Sequence, residues 1–408
     1  MSRRRLKVFV DAEVLVVPHF SGIGHYTLEL LRALDALLEG RDDVAVELGA
    51  FVKQRRKLRG YGFRNLKVRL SPIPVQVSQR LKMRNLQFPL DLIFGKRVYF
   101  FPNFSSWPTA FSNSVSVVYD LSFELFPQFA EPANRAFLSS QVRKTAMRSA
   151  AVVTISENSR REILEFYGVP VERVPIIYPG VDQSQFFRWP QPAVEDVKRR
   201  YGIRGKYILF VGNLEPRKNL KNLLLAYESL DPATRQEYSL LLVGARGWLD
   251  GEIMETIERL RTSGNLVQQP DGYVTDADRP ALYSGASLFV YPSLYEGFGI
   301  PPVEAMACGV PTITSDNSSL PEAVGAAALT VDANSVDELA TAMRTVLGDE
   351  ELRDEMVRKG FAQADKFSWH RGAQQLLDIF VEVGAVSERQ RANHRYSTQR
   401  PTRSEADA

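Results

Sequence analysis

Tyr291-Pro-Ser-Leu-Tyr-Glu296-Gly-Phe-Gly-Ile-Pro-Pro-Val-Glu304-Ala-Met-Ala-Cys-Gly-Val-Pro311 joins a strand end, a glycine turn and a helix start. The run from Ala286 to Tyr291 that leads into it is apolar and aromatic, as a strand buried on both faces is. Gly297-Phe298-Gly299 supplies the turn. Ile300-Pro301-Pro302 opens a helix, because proline is tolerated in a first helical turn, where the N–H has no partner to lose. Strand, glycine turn and helix start together present free backbone N–H groups and the positive end of a helix dipole to an anion. Glu296 stands at the strand tip and Glu304 about one turn into the helix. A carboxylate beside an anion site is unfavourable unless it has another task. Accepting hydrogen bonds from sugar hydroxyls is such a task, since an ionised carboxylate accepts but cannot donate. The local chemistry thus suggests a diphosphate between two sugars. The competing reading is an ordinary strand-to-helix connection with one solvated and one core-flanking glutamate.

Upstream, Tyr207-Ile-Leu-Phe-Val-Gly212 reads as a buried strand ending in glycine. Asn213-Leu-Glu-Pro-Arg217-Lys218-Asn219-Leu follows and opens a helix carrying Leu223, Leu224, Leu225 and Leu230. Two adjacent cations at a helix N-terminus oppose its dipole unless an anion is held there, so Arg217 and Lys218 point to one. Tyr238-Ser-Leu-Leu-Leu-Val-Gly244 is a further strand, followed by a loop with Trp248. Gly272-Tyr273-Val274 precedes Asp276-Ala-Asp278, a pair that mimics a metal-binding motif. Pro280-Ala-Leu-Tyr continues at once as a helix, so the pair is read as its cap. Beyond Pro311 come a strand and a new element at Ser318-Ser-Leu-Pro-Glu322. Helices are expected over 335–347 and 350–363, and an apolar helix from Trp369 to about Val383.

The first half has the same alternation. Lys7-Val-Phe-Val-Asp-Ala-Glu-Val-Leu-Val-Val reads as a strand, and Ser21-Gly22-Ile-Gly24-His-Tyr26 as a turn into a helix with Leu28, Leu30, Leu31, Leu34, Leu37 and Leu38. Gly22 and Gly24 let backbone approach a ligand there, although Thr27 stands where a dinucleotide fingerprint has its third glycine. Further strands are expected at 97–102, 114–120 and 150–155, with a last short one from Val174. Asp120 falls at a strand C-terminus, the edge where doubly wound sheets bind ligands; capping the next turn is its plainer role. Ser156 and Ser159 suit a helix cap.

At 408 residues the chain is too long for one ordinary core and implies two domains. Hydrophobic content of 44% and charged content of 24% are those of a globular protein that does not span a membrane. A single cysteine, Cys308, excludes an internal disulfide and fits a reducing compartment; its apolar neighbours make it a core residue. Four histidines and one cysteine offer no metal-ligand cluster. The start Met-Ser-Arg-Arg-Arg resembles a leader, but Asp11 and Glu13 interrupt the apolar run behind it. Net charge is +3, yet Leu48 to Leu90 holds eleven Lys or Arg and no Asp or Glu, from Lys53 to Arg84, interleaved with Phe51, Tyr61, Phe63, Leu81, Met83 and Phe88. Region 53–84 is therefore expected to make peripheral membrane contact or to hold an acceptor phosphate, against a merely solvated face. With no recognised binding motif beside it, nucleic acid is not expected as a partner.

The wording of 292–311 resembles the Glu-x7-Glu signature of the family 4 retaining glycosyltransferases, whose GT-B fold has two Rossmann-like domains facing an interdomain cleft. Pro216-Arg217-Lys218-Asn219, Tyr119-Asp120-Leu121 and Pro179-Gly180-Val181-Asp182 resemble other motifs of that family, and the likeness runs from about Lys7 to Phe380. It departs at Tyr119, where a histidine is common, and at Asn213, where many relatives have an arginine that Arg217 would replace. The resemblance implies an α/β protein with an acceptor-side domain at 1–183, a linker at 184–206 and a donor-binding domain at 207–367. A C-terminal helix, 368–384, would cross back to the first domain, and the polar tail 387–408 is expected to be disordered. The donor, a nucleotide sugar, would be held by Gly22, Gly24, Gly212, Tyr273, Val274, Gly297, Phe298, Gly299, Ile300 and Glu304, with Glu304 on the ribose. Glu296 would hold the transferred sugar, Lys218 and Arg217 the leaving diphosphate, and Asp120 the acceptor hydroxyl. No cofactor and no obligatory metal are implied. GDP-mannose is the expected donor and a saccharide or lipid-linked saccharide the acceptor, in the cytoplasm at the inner face of the membrane. A UDP-sugar transferase, a nucleotide-sugar epimerase and a non-catalytic glycan- or membrane-binding module remain as alternatives.

Overall fold

Twelve short strands, rich in Val, Ile, Leu, Phe and Tyr, build two sheets in this computed structural model, which describes residues 5–17, 22–50, 54–71, 88–247 and 249–398, with side chains as far as 385. The central strands β4, β7 and β10 are apolar and buried on both faces, so each sheet must be covered on both sides by helices, and that favours parallel strands. The first sheet contains β1 (Leu6–Asp11), β2 (Val44–Ala50), β3 (Lys67–Leu70), β4 (Val98–Phe101), β5 (Ser114–Val117) and β6 (Ala151–Val153), in the order β3-β2-β1-β4-β5-β6. The second contains β7 (Lys206–Val211), β8 (Tyr238–Val243), β9 (Val267–Gln268), β10 (Leu288–Tyr291), β11 (Thr312–Ser315) and β12 (Leu329–Val331), in the order β12-β11-β10-β7-β8-β9. Every pairing is parallel. Numbered within each half, both sheets read 3-2-1-4-5-6, the doubly wound order, although no repeat is visible in the sequence. The order reverses between β1 and β4 in one sheet and between β7 and β10 in the other, and ligands bind such sheets at the reversal.

Several expected boundaries move. The first strand does not run to Val17: Asp11 Oδ1 accepts the Glu13 N–H (3.1 Å) and turns the chain into a single 3-10 turn, Glu13–Leu15. The strand expected from Val174 is one bridge, Thr154 to Ile176, because the flanking Pro175 and Pro179 have no N–H for a ladder. The strand expected to reach Asp120 ends at Val117. The tail is helical as far as Thr398, in one element with Trp369; Glu, Arg, Gln and Ala favour helix, and no glycine or proline interrupts 387–398. Within 184–206, the helix Gln191–Arg200 packs on the second domain: Asp278 accepts from Arg200 (2.8 and 3.0 Å) and from the Tyr201 hydroxyl (2.7 Å).

The helix from Trp369 does return to the first domain, packing against the helix Gly22–Leu37. Phe380 meets the Phe100 ring at 5.4 Å, and Asn113 Nδ2 donates to Val383 O (3.2 Å). The chain thus passes between the domains twice, and the two crossings touch. Val181 N donates to Phe367 O (3.2 Å), and a β-carbon on Gly180 would lie 2.2 Å from the Trp369 nitrogen. Only glycine fits. Gly180→Ala should force the crossings apart at a cost of roughly 1–3 kcal/mol, read as a lowered Tm; an unchanged Tm would show that the crossings do not depend on this contact.

Candidate active site

Residues 215–219 are joined to 291–296 by bonds that fix the tips of β7 and β10 together. Pro216–Lys218 forms one 3-10 turn, and Asn219 ends it in the left-handed region (φ 59°, ψ 34°) before the helix Leu220–Glu228. Asn219 Nδ2 donates to Pro292 O (3.0 Å) and Ala333 O (2.6 Å), so an asparagine, tolerant of positive φ, also anchors two loops. Arg217 Nη1 donates to Tyr295 O (2.7 Å) and Glu296 Oε2 (3.1 Å), and Nη2 to Glu215 Oε1 (2.8 Å). Lys218 Nζ donates to Glu296 Oε1 and to the Tyr291 hydroxyl, both at 2.6 Å. The anion demanded by two adjacent cations is therefore supplied by the chain itself, as the Glu296 carboxylate. Burial pushes Glu296 upward, but Lys218 and Arg217 outweigh it and hold the carboxyl at about 2. Burial lowers Lys218 despite its partner, while Glu296 and Glu215 raise Arg217 against the cost of its burial.

Glu304 lies in the helix Ile300–Ala307, which begins as the two prolines require, with Gly299 at its N-cap at φ 96°. That φ strains any side chain at Gly299, and a β-carbon there, 2.6 Å from Leu320 Cδ2, would also displace the leucine methyl. The Glu304 carboxylate is buried and accepts from the Tyr283 hydroxyl (2.8 Å) and Arg279 Nη2 (3.3 Å). Glu304 in turn raises Arg279, and burial, with Glu304 adding to it, raises Tyr283. Arg279 lies over the Phe186 ring, and its Nε is buried with no hydrogen-bond partner. Tyr273 is 79% exposed, whereas Val274 is partly buried against the core. Phe298 is also a core residue, its ring against Phe367 (5.0 Å) and Tyr178 (5.8 Å), so only its backbone can serve a ligand. Gly212, at the end of β7, has φ 152°, and a β-carbon there would sit 3.3 Å from the Phe210 ring. Asp276 pairs with Arg279 (3.0 Å); Asp278 holds Arg200 and Tyr201 and does not cap the helix through its side chain, as the sequence suggested. Among the described residues no group of acids, histidines and cysteine could hold a metal.

From the first domain, Asp120 reaches the same point. Its Oδ1 accepts from Ser122 N (2.9 Å) and Oγ (2.7 Å), the turn-capping role, while Oδ2 faces Gly297, where a β-carbon would come within 3.0 Å. Tyr119, in place of the family's histidine, points away from the cleft: its hydroxyl donates to Pro102 O (2.9 Å), its ring meets Tyr26 edge-on at 5.3 Å, and burial pushes its pKa up. Gly22 and Gly24 form the first turn of a helix instead of a preceding loop. The structure thus brings together Arg217, Lys218, Glu296, Gly297 and Asp120. The sequence reading missed Tyr291, Tyr283, Arg279 and Glu215. Their only signal was position, at a strand end or one helical turn from a motif residue. Because the Glu296 pKa is depressed from 4.5 to about 2, its stabilisation should be complete above pH 4.5 and fade as pH falls towards 2. Tm measured down that range should drop more for the native chain than for Glu296→Gln, by the equivalent of about 2 kcal/mol; parallel curves would remove the ion pair from the acid response.

Residues 20–185 match the family model described as Glycosyltransferase Family 4, and residues 195–363 the one described as Glycosyl transferases group 1. The O-antigen chain mannosyltransferase B of Escherichia coli is 31% identical over 384 residues, 92% of this chain and 99% of that protein. The serotype-specific mannosyltransferase WbdA of Escherichia coli is 32% identical over 240 residues, 58% of this chain but 29% of its own length. Among solved structures, Anabaena Alr3699/HepE in complex with UDP and glucose superposes with a TM-score of 0.68 at 18% identity, over 93% of this chain and 100% of that one. WaaG, a glycosyltransferase involved in lipopolysaccharide biosynthesis, gives 0.66 at 18% identity, over 92% and 99%. With both halves matched, one relative aligned along almost its whole length and two doubly wound sheets in the GT-B arrangement, the chain belongs to the family 4 glycosyltransferases.

Proposed function

We propose that the chain transfers a mannosyl residue from GDP-mannose to a growing surface polysaccharide, with retention of configuration and without an obligatory metal. The observation that carries this reading is the cluster of buried Lys218 and Glu296 with half-buried Arg217 at the reversal between β7 and β10. A leaving diphosphate needs fixed positive charge that strengthens as the bond breaks. Lys218 has three N–H donors; Glu296 and Tyr291 take two, and the third serves a phosphate oxygen. The amides of Gly297, Phe298 and Gly299 add to it at the start of the helix Ile300–Ala307. Glu296 accepts from the transferred sugar, Glu304 from the ribose, and Asp120 from the incoming acceptor hydroxyl. Mannose and polysaccharide are taken from the functions named for the two Escherichia coli relatives.

The same proposal puts the acceptor at a membrane surface. Arg55, Arg56, Lys57 and Arg59 are exposed on the helix Arg55–Gly60, and Phe88, Leu92 and Phe111 are exposed elsewhere in the same domain; Lys53, Arg80, Lys82 and Arg84 lie outside the described residues. No described helix is long and apolar enough to cross a membrane. The chain should sediment with anionic vesicles and not with phosphatidylcholine alone, and Arg55→Glu with Arg56→Glu should abolish this; indifference to vesicle charge would end the membrane assignment.

The donor is tested by thermal shift against GDP, UDP, ADP and CMP. GDP at about 100 times its Kd should add ~2.7 kcal/mol, and Glu304→Ala should weaken that binding about tenfold or more. Product anomers read by NMR should match the donor's configuration. Stabilisation by UDP alone would replace the donor, an inverted product would replace the mechanism, and silence from all four nucleotides would favour a non-catalytic module.

A further inference from the structure

Glu162 belongs to no motif, yet its carboxylate is buried beside the cleft on the helix Glu157–Tyr167 of the first domain. It accepts from Asn158 Nδ2 and from the hydroxyl of Tyr295, each at 2.6 Å. Tyr295 comes from the second domain and directly precedes Glu296; its ring packs 5.1 Å from Phe126 of the first domain. One turn earlier on the same helix, Ser159 Oγ donates to Gly297 O (3.4 Å). At the helix start, the Glu322 carboxylate, again from the second domain, accepts the Glu157 N–H at 2.8 and 3.0 Å and the Tyr178 hydroxyl at 2.5 Å. One face of this helix is therefore the surface on which two second-domain segments rest. One of them is the loop that carries Glu296 and Gly297.

The chemistry of these contacts is suited to being made and broken. An apolar contact of this size would resist separation, because opening would wet it. A hydroxyl and a carboxylate each find water when the cleft opens, so the net gain on closing is small while the cost of a misaligned closed state, with a buried carboxylate lacking its donor, is large. Burial holds the Glu162 carboxyl above its ordinary range, with the Tyr295 hydroxyl opposing. Tyr295 cannot shift alone, because its carbonyl accepts from Arg217 Nη1 (2.7 Å). Moving its hydroxyl therefore moves Glu296 and the point where Gly297 meets Asp120.

We propose that Glu162 and Tyr295 form a polar latch across the cleft, in which Glu162 acts as a positioning residue that sets the Glu296–Gly297 loop against Asp120 when the domains close. The kinetic part rests on the sugar-transfer reading above; the closure part does not. Tyr295→Phe keeps the ring and removes only the hydroxyl. With GDP-mannose, kcat should fall about tenfold while KM for the donor changes less than about twofold, because the donor's own contacts remain. Glu162→Ala should match it, the double variant should be no worse than either, and Glu162→Gln, which keeps an acceptor oxygen, should stay within about threefold of the native chain. Small-angle scattering with GDP present should give a larger radius of gyration for Tyr295→Phe than for the native chain. Additive losses, or equal kcat and superimposable scattering, would overturn the latch. A native chain that transfers from no nucleotide sugar would sink the transfer reading instead, and scattering alone would then decide the latch.

Discussion

Three charges at one point, buried Lys218 and half-buried Arg217 against buried Glu296, set the rest of the second domain. An ion pair out of water stabilises little by itself, since desolvation offsets most of the attraction, but removing one partner leaves an uncompensated charge. The arrangement thus tolerates little displacement. Tyr291 must bring its hydroxyl to Lys218, Asn219 must hold the loops at Pro292 and Ala333, and Ser319 must bond the Glu296 carbonyl (2.8 Å). Each of these ties a different strand end to the same spot, so a site made of loops acquires the rigidity of the sheet beneath it.

Where the sequence was legible, one constraint left one solution. Strands apolar on both faces imply parallel sheets; two prolines after a glycine turn imply a helix start, and Gly299 and Ile300 fall where they should. The resemblance to a known family gave the pairing of domains, which periodicity alone does not. The sequence was opaque where partners come from far along the chain. Arg217 and Lys218 were read as waiting for an outside anion because Glu296 is 78 residues away in the case of Lys218, and nothing local announces the pair. Asp278 looked like a cap because the helix follows it, while its partners Arg200 and Tyr201 lie 78 and 77 residues earlier. Tyr119 illustrates the other limit: in sequence it occupies a functional position, but burial against Tyr26 and Pro102 makes it a core residue.

The second domain brings charge and the first brings a matching surface. Asp120, Ser159 and Glu162 of the first domain meet Gly297 and Tyr295 within one small region. Gly297 is glycine because the opposite domain fills the space a side chain would take, a constraint from across the cleft. Both sheets reach the cleft through the same strand order, and the groups that meet follow strand ends on each side.

The touching crossings at Gly180 and Trp369 have a mechanical meaning. Two separate tethers would let the domains slide and twist in several directions, but tethers in contact act as a pivot pin. Motion is then mainly rotation about that pin, and a group's travel grows with its distance from it. Residues beside the pin scarcely move, while those at the far rim of the cleft sweep a wide arc.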